Sequence, residues 1–322
     1  MAMRAGVIGV GYLGQHHARV FSELEGVQLT AVVDADPARA EEIARKYGAA
    51  AYTDYREALG AVDAFSIVTP TTLHYAIARE CIRAGKDLLI EKPVTATIEE
   101  ADALIGAAEK AGVVVQVGHL ERFNPAIAAV APLIAEPRFF EAERLSPFLG
   151  RGVDVDITLD LMIHDIDILL SLLGRHAASA APFPVDIKAT GADILTGRID
   201  TAKAWLDFGG GIHALVTASR TSPRKERTLR IFQRDSYLLV DYQTMEVRRY
   251  RREGSEIVQE TLHVEKGEPL KEELRDFVRC VGSRSTPRVC ALAGRNALKV
   301  ALSVGELIRR QNNYTTAKEE TE

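Results

Sequence analysis

The chain has 322 residues, of which 47% are hydrophobic and 26% charged, which is typical of a globular protein of about two domains with a sizeable core. Its net charge of −5 does not favour a nucleic-acid-binding surface, and no apolar run approaches the ~18 residues of a membrane helix. No secretory leader is recognisable, and the three cysteines, Cys81, Cys280 and Cys290, follow neither a disulfide nor a metal-ligand pattern. We therefore expect a cytoplasmic protein without nucleic-acid, membrane or metal partners.

The first elements of the chain predict a strand, a tight turn and a helix. Ala5 to Val10 is an apolar run long enough for one buried strand, and Gly9, Gly11 and Gly14 form a G-x-G-x-x-G motif at its end. The first glycine permits the turn, the second lets a pyrophosphate approach the backbone, and the third lets the helix pack on the strand. The helix N-terminus then offers N–H groups and a partial positive charge to phosphates.

A second apolar run, Leu29 to Val33, ends at Asp34, which lies 20 residues after Gly14. A carboxylate at this spacing accepts hydrogen bonds from ribose hydroxyls and repels a 2′-phosphate, which predicts NAD rather than NADP. The alternative is a glycine turn in an α/β protein that binds no nucleotide. His16 and His17 lie on the helix after the turn, and we expect both to be exposed to solvent; the alternative is that one of them touches the cofactor cleft.

Strands and helices continue to alternate up to Gly118. The predicted helices are 37–47, about 75–84 and 98–111, and the predicted strands are 64–68, 87–90 and 113–117. This alternation predicts a parallel Rossmann sheet and an NAD-binding domain over residues 1–118. Because ligands bind beyond the carboxyl ends of such strands, Thr69 to His74 and Glu91 to Pro93 are expected to line the cofactor cleft.

The pattern changes after Gly118. Residues 158–173 predict one amphipathic helix, and the stretches between 202 and 264 alternate with a period of two, which indicates an open antiparallel sheet. We expect an α+β domain over residues 119–290 that binds substrate and forms oligomers. The final helix, about 291–311, is expected to pack back on the first domain, and residues 315–322 to be disordered.

Four residues have the chemistry of a proton-transfer site. Asp160 and His164 are four apart on the predicted helix and Asp167 is three further on, so they lie near one face. A histidine paired with a carboxylate can accept a proton, and Lys92, at the ligand edge of the sheet, can stabilise a developing alkoxide. The alternative is a surface pair or a core histidine. The remaining histidines form no metal-ligand cluster.

These motifs occur in the order of a known family. EKP at Glu91 to Pro93, TPTTLH at Thr69 to His74 and D-x-x-x-H at Asp160 to His164 resemble the glucose–fructose oxidoreductase/inositol dehydrogenase/MocA family. The resemblance implies a Rossmann domain with an α+β domain, and homodimers or homotetramers formed through the antiparallel sheet. It also implies hydride transfer between a nicotinamide cofactor and a sugar-like secondary alcohol. Lys92 and His164 would handle the proton, and Asp160 would orient His164.

Two segments, VGHLERFNPA and LDLMIHDIDILLSLLG, are similar to the UDP-N-acetylglucosamine 3-dehydrogenase branch of the family. That branch precedes an aminotransferase in the synthesis of lipid A precursors. The sequence departs from the common family pattern at Thr71 and Leu120, where asparagine is usual. The alternatives are a dehydrogenase of a free polyol or monosaccharide, such as an inositol, and a non-catalytic NAD-bound sensor.

Three groups of site residues follow. The expected cofactor contacts are Gly9, Gly11, Tyr12, Leu13, Gly14, Asp34, Thr69, Pro70, Thr71, His74, Glu91 and Lys92. The expected substrate contacts are Lys92, Arg122, Phe123, Asn124, Asp160 and His164, with Lys92, Asp160 and His164 as the catalytic set. For Arg122 and Asn124, an ordinary salt bridge and a turn are equally consistent with the sequence.

Overall fold

A computed structural model of the chain describes residues 2–148, 150, 155–175 and 183–319. By packing, the chain divides into two compact units. The first contains Met1–Leu120 and Glu268–Arg295, and the second contains Glu121–Gly267 and Asn296–Glu322. This division differs from the predicted boundaries, which assign residues 268–290 to the substrate-binding domain.

Within the described residues, the first unit is built on a six-stranded parallel sheet. Its strands are β1 (Met3–Ile8), β2 (Val27–Val33), β3 (Ala50–Tyr52), β4 (Ala64–Ile67), β5 (Asp87–Glu91) and β6 (Val115–Gly118). Their order is β3-β2-β1-β4-β5-β6, and all neighbours are parallel. The predicted Rossmann sheet is confirmed. The strand order reverses between β1 and β4, which is where sheets of this kind bind ligands.

Helices connect these strands and cover the sheet. They are α1 (Gly14–Glu23), α2 (Pro37–Tyr47), α3 (Tyr55–Ala58), α4 (Thr71–Arg83) and α5 (Ile98–Ala111). Local chemistry explains the ends of α2 and α5. The Asp36 carboxylate caps α2 by accepting backbone N–H bonds, and Thr97 forms a capping box with Glu100 at the start of α5. Both helices end at a glycine in the left-handed conformation, Gly48 and Gly112.

A later segment of the chain completes the first unit. Helix α8 (Pro269–Ser283) contributes Leu274 and Phe277 to the same buried cluster as Val20 and Phe21 of α1. The backbone N–H of Val117 on β6 donates to the carbonyl of Val289, 2.9 Å away, so the edge strand of the sheet is partly covered.

The second unit contains an eight-stranded sheet within the described residues. The strands are β7 (Pro137–Leu145), β8 (Asp186–Ala192), β9 (Thr201–Asp207), β10 (His213–Ser219), β11 (Glu226–Gln233), β12 (Ser236–Asp241), β13 (Glu246–Glu253) and β14 (Glu256–Leu262). Their order is β14-β13-β12-β11-β7-β10-β9-β8. The sheet is mostly antiparallel, as predicted, but β7 pairs parallel with β10. Strand β7 has no counterpart among the predicted strands, because Pro137 at its start, with Pro132 and Pro147 on either side, indicates a loop, and because Arg144 near its end is a charged residue that the structure buries.

The helix that carries His164 differs from an amphipathic one. Residues Thr158–Met162 form a π-helical turn, and α7 (Ile163–Gly174) follows it. Almost every residue of α7 is buried, including two aspartates beside His164. The prediction of a single amphipathic helix is therefore wrong here, because arginines of the second unit pair with these aspartates and allow their burial.

The remaining helices of the second unit are α6 (Pro125–Val130) and most of α9 (Ala291–Glu319). Beyond residue 295, α9 packs in the second unit, where Arg309 forms an ion pair with Asp156. Helix α9 continues to Glu319 and so includes the first residues of the tail that is expected to be disordered. Residues 320–322 of that tail lie outside the described part. No helix of the described residues is both long and apolar enough to cross a membrane.

Candidate active site

The glycine turn after β1 is shaped by close backbone packing. Gly9 has a φ of +86°, and a Cβ there would lie 2.7 Å from the Val68 carbonyl oxygen. A Cβ on Gly14 would overlap the carbonyl oxygen of Gly9 itself, so both positions require glycine. Gly11 differs, because a Cβ there would have no atom within 4 Å. The space beside Gly11 is therefore available to a ligand that approaches the backbone.

The start of α1 and the end of β2 form the rest of the sheet edge at which a dinucleotide can bind. The first turn of α1 has no side-chain cap, and Tyr12 beside it is exposed. Asp34 accepts the N–H groups of Val10 at 2.9 Å and Asp36 at 3.0 Å, one on each oxygen. A carboxylate has about four acceptor positions, so Asp34 keeps capacity for ribose hydroxyls. These residues fit NAD, with phosphates at the helix N-terminus and ribose at Asp34.

The residues that follow β4 form the start of a helix, and one of them, His74, is buried. Helix α4 begins at Thr71, earlier than predicted, so that Thr71 and His74 lie in its first turn. His74 is buried, and its ring nitrogens lie 2.8 Å from the Pro93 carbonyl and 2.9 Å from the Thr69 carbonyl. Burial lowers the pKa of His74, so its neutral ring has one N–H for two carbonyls. With both nitrogens against the backbone, a direct cofactor contact by His74 stays a prediction that the geometry does not favour.

Lys92 follows β5, next to a row of buried polar side chains that contact one another. Glu91 is buried, with Oε1 3.2 Å from Nε2 of His17, and Nδ1 of His17 lies 2.8 Å from the hydroxyl of Ser66. The expectation that His17 is exposed is wrong, whereas His16 is exposed. The sequence did contain the signal, since His17 is three and four residues before the buried Val20 and Phe21 and so shares their face of α1.

In the second unit, the helix of His164 is anchored by arginines from three other segments. Asp165 accepts two hydrogen bonds from Arg144, at 2.8 and 3.0 Å. The other pairs are Asp167 with Arg122 at 3.3 Å and Asp160 with Arg220 at 3.9 Å. Asp165 and Asp167 lie one and three residues after His164, so these contacts fix the rotation of α7 and with it the position of the histidine.

Arg144 is the centre of a buried charge cluster in this unit. Besides Asp165 it contacts Glu121 at 2.9 Å, and its guanidinium lies over the ring of Tyr242. Although burial disfavours the guanidinium cation, Asp165 and Glu121 raise the pKa of Arg144 above its ordinary value. This cluster is not predictable from a motif, because its members come from separate strands, helices and loops.

Two predicted substrate contacts have structural partners instead. The Asn124 side chain caps α6 by accepting the N–H of Ala126, and it donates to Glu121 and to the Tyr242 carbonyl. Phe123 is also buried. Arg122, paired with Asp167, is half-buried. Substrate binding by these three residues stays a prediction, and the salt-bridge and turn alternative accounts for the contacts of Arg122 and Asn124.

Each unit thus contains some of the predicted site residues. The glycine turn, Asp34, Thr69 to His74 and Lys92 follow β1, β2, β4 and β5 at one edge of the first sheet. Asp160 and His164 belong to the second unit. The described residues contain no cluster of histidine, cysteine or acidic side chains that could hold a metal ion.

Comparison with known proteins identifies the family. Residues 3–119 match the model of the Gfo/Idh/MocA oxidoreductase family, described as an NAD-binding Rossmann fold. A UDP-N-acetylglucosamine 3-dehydrogenase of Acidithiobacillus ferrooxidans is 38% identical over 309 residues, which are 94% of this chain and 96% of that protein. Its solved structure superposes with a TM-score of 0.88, covering 96% of this chain and 98% of that one. A scyllo-inositol 2-dehydrogenase (NAD(+)) of Bacillus subtilis is 32% identical over 69% of this chain and 68% of its own length.

The family match and the fit of the first sheet edge lead to the same cofactor, NAD. The relative that is 38% identical extends over both units, so the similarity is not limited to the nucleotide-binding fold. This chain belongs to the Gfo/Idh/MocA family of NAD-dependent oxidoreductases.

Proposed function

We propose that this protein is a sugar-nucleotide dehydrogenase that oxidises the C3 hydroxyl of UDP-N-acetylglucosamine to the 3-keto sugar. The observation that carries the proposal is the 38% identity to a UDP-N-acetylglucosamine 3-dehydrogenase over 94% of this chain and 96% of that protein. The inositol dehydrogenase of Bacillus subtilis matches only about two thirds of each chain. The 3-keto product would be a substrate for an aminotransferase on the way to lipid A precursors.

The reaction removes a hydride from carbon and a proton from oxygen. NAD, when bound, supplies the hydride acceptor. The chain must accept the hydroxyl proton, and we assign this step to His164 or to Lys92 with His164 as relay. Asp160 orients His164. The anchoring of α7 by Arg144 and Arg122 supports this assignment, because a base on a rigid element keeps its geometry.

The test is NADH formation with purified protein, NAD and a panel of UDP-N-acetylglucosamine, inositols and glucose. A keto-sugar acceptor or a coupled aminotransferase should be included, so that slow NADH release does not hide turnover. We expect turnover with UDP-N-acetylglucosamine. Lys92→Met and His164→Asn should each lower kcat by about 10²–10⁴-fold, the usual contribution of a positioned acid or base. Lys110→Met, on the exposed end of α5, is the matched control.

The other results have defined meanings. Turnover with inositols or glucose alone would support a dehydrogenase of free polyols or monosaccharides. Tight NAD binding without turnover of any candidate would support a non-catalytic sensor. Activity that is unchanged in both the Lys92 and His164 variants would contradict their assigned roles.

We also propose that the protein forms a homodimer or homotetramer through the open face of its second sheet. The face opposite the buried Ala204 and Leu206 carries a row of neighbouring rings from strands β13, β12, β11, β7, β9 and β10. The rings are His213, Trp205, Phe139, Phe232, Tyr237 and Tyr250, with neighbouring centroids 4.9–5.7 Å apart. Trp205 is 38% exposed. Light scattering should therefore show a smaller assembly for Trp205→Glu than for the unchanged protein.

A cytoplasmic location is likewise proposed. Its support is that Cys81, Cys280 and Cys290 are all free thiols, as expected in a reducing compartment.

A further inference from the structure

The side chain of Glu91 is held inside the first unit next to Lys92. It is 5% exposed and lies against Gly118, its neighbour on β6, where an added Cβ would be 2.7 Å from the carboxyl carbon. Its Oε2 accepts the backbone N–H of Lys92 at 3.2 Å. Although burial disfavours the charged form, His17 and Lys92 lower the pKa of Glu91, so the group is a carboxylate at neutral pH.

His17 connects this carboxylate to two other elements. Its ring is fully buried, with Nε2 3.2 Å from Oε1 of Glu91 and Nδ1 2.8 Å from the hydroxyl of Ser66 on β4. Because a carboxylate only accepts, we assign a proton to Nε2, the nitrogen nearest Glu91. The alignment is not that of a linear hydrogen bond, so the contact is a short electrostatic one.

The contacts among Ser66, His17 and Glu91 join three elements, α1, β4 and β5, at the edge of the sheet where NAD is expected to bind. His17 lies in the first turn of α1, directly after the glycine turn, Ser66 lies near the end of β4, and Glu91 ends β5. His17 and Ser66 are both completely buried, so neither can touch a substrate. Polar groups in such a place are costly compared with apolar packing, which calls for a role other than stability.

We propose that His17 is a positioning residue for Lys92. It keeps the Glu91 carboxylate over Gly118, and that carboxylate holds the backbone N–H from which the Lys92 side chain departs. The next residue, Pro93, is held through its carbonyl, which lies 2.8 Å from Nδ1 of His74. The catalytic importance of this arrangement rests on the proposed function, in which the Lys92 ammonium must meet the reacting oxygen, and a displacement near 1 Å can lower a rate about 10²-fold.

Three substitutions test the chain of contacts. His17→Asn keeps a polar atom for Ser66 and removes the contact with Glu91, whereas His17→Gln keeps a donor within reach of Glu91. Glu91→Gln removes the charge. We expect kcat to fall at least about tenfold in His17→Asn and in Glu91→Gln, with the Kd of NAD changed less than about threefold. His17→Gln should recover part of the loss, and the double variant should be no slower than either single variant, because both break one contact.

The matched control is His263→Asn, an exposed histidine of the second unit, which should leave kcat unchanged. Lys92→Met is measured alongside. If Lys92→Met is inactive but His17→Asn has normal kcat, the positioning role is refuted while the proposed function stands. If the unchanged protein oxidises no sugar of the panel, the proposed function fails, and the second measurement decides the positioning role.

That second measurement does not need turnover. Acetic anhydride labels lysine amines, and mass spectrometry gives the labelling rate of Lys92 relative to the exposed Lys110 in the same molecule. We expect His17→Asn and Glu91→Gln to change this ratio at least threefold and His17→Gln to change it less. An unchanged ratio in folded His17→Asn and Glu91→Gln would overturn the inference. Ser66→Ala, which releases only the far end of His17, provides a milder variant if His17→Asn does not fold.

Discussion

The two units hold their predicted site residues by different physical means. In the first, the dinucleotide turn is shaped by sterics, since a side chain at Gly14 would overlap the backbone of Gly9. In the second, the helix of His164 is held by charge, through Asp165 with Arg144 and Asp167 with Arg122. The steric contact of Gly14 with Gly9 is local in sequence, whereas the ion pairs join residues 21 and 45 positions apart. One added methyl group should therefore disturb the first site, and one lost charge the second.

The largest effect is expected for Arg144→Met. The substitution leaves Asp165 buried without its hydrogen-bonded cation and leaves Glu121 with Arg227 alone, and breaking such a buried pair typically costs about 3–5 kcal/mol of unfolding free energy. Urea unfolding followed by circular dichroism measures the loss. Arg252→Met, on an exposed part of β13, should change stability by less than about 0.5 kcal/mol. A loss below about 1 kcal/mol for Arg144→Met would contradict the view that charge holds α7.

A pair of glycine substitutions separates shape from binding in the first unit. Gly14→Ala forces a methyl group against backbone and should cost about 1–3 kcal/mol of stability. Gly11→Ala has open space around it, so it should unfold like the unchanged protein but bind NAD at least about tenfold more weakly, because the methyl group takes ligand space. Urea unfolding and NAD titration calorimetry distinguish the two. Equal NAD affinity in Gly11→Ala and the unchanged protein would show that the dinucleotide lies elsewhere.

A smaller effect, on the affinity for NAD, is expected at Asp34. Here a charged side chain contributes to a site that is otherwise shaped by steric contacts. Asp34→Ser removes the acceptor for ribose hydroxyls and the repulsion of a 2′-phosphate, and Arg39 is already within 3.7 Å of the carboxylate. We expect NAD to bind about tenfold more weakly, a loss of ~1.4 kcal/mol, while NADP gains relative to NAD. Steady-state kinetics with both cofactors measure the ratio. The prediction is wrong if the preference for NAD is unchanged.

The smallest effect on the fold should come from thiol labelling. Burial raises the pKa of Cys81 to about 12, so at pH 8 its reactive thiolate is only on the order of 10⁻⁴ of the population. Cys290 is only partly buried. Iodoacetamide should therefore modify Cys290 first, and Cys81 should react only as the pH rises or the chain unfolds. Peptide mapping after timed labelling checks the order, and early modification of native Cys81 would show that packing in the first unit is looser than described.

Parts of the fold that depend on local patterns were predictable. The spans of α2 and α5 agree with the predicted helices 37–47 and 98–111, because a cap at one end and a glycine at the other specify both boundaries. Strand β7 was not predictable in this way. Pro137 at its start and Arg144 near its end resemble an exposed segment, and only the carboxylates of Glu121 and Asp165 make an arginine acceptable at that buried position.

The site shows the same limit. Its glycines and Asp34 could be named because each acts through its own backbone or at a known spacing from its neighbours. The buried face of His17 follows from its spacing to Val20 and Phe21, but its polar partners, Ser66 and Glu91, are 49 and 74 positions further along the chain and could not be named. Asn124, expected at the substrate, instead caps α6, a role that the following Pro125 indicates only once the helix is known.

The sequence by itself determined the Rossmann order of strands and helices, the NAD turn, the family and the residue types available for proton transfer, because periodicity, caps and glycine spacing act over short distances. Only the tertiary structure decided which polar side chains are buried together, in the Ser66–His17–Glu91 chain and around Arg144. A buried charge is tolerated only where partners surround it, and those partners come from distant segments that the fold alone brings into contact.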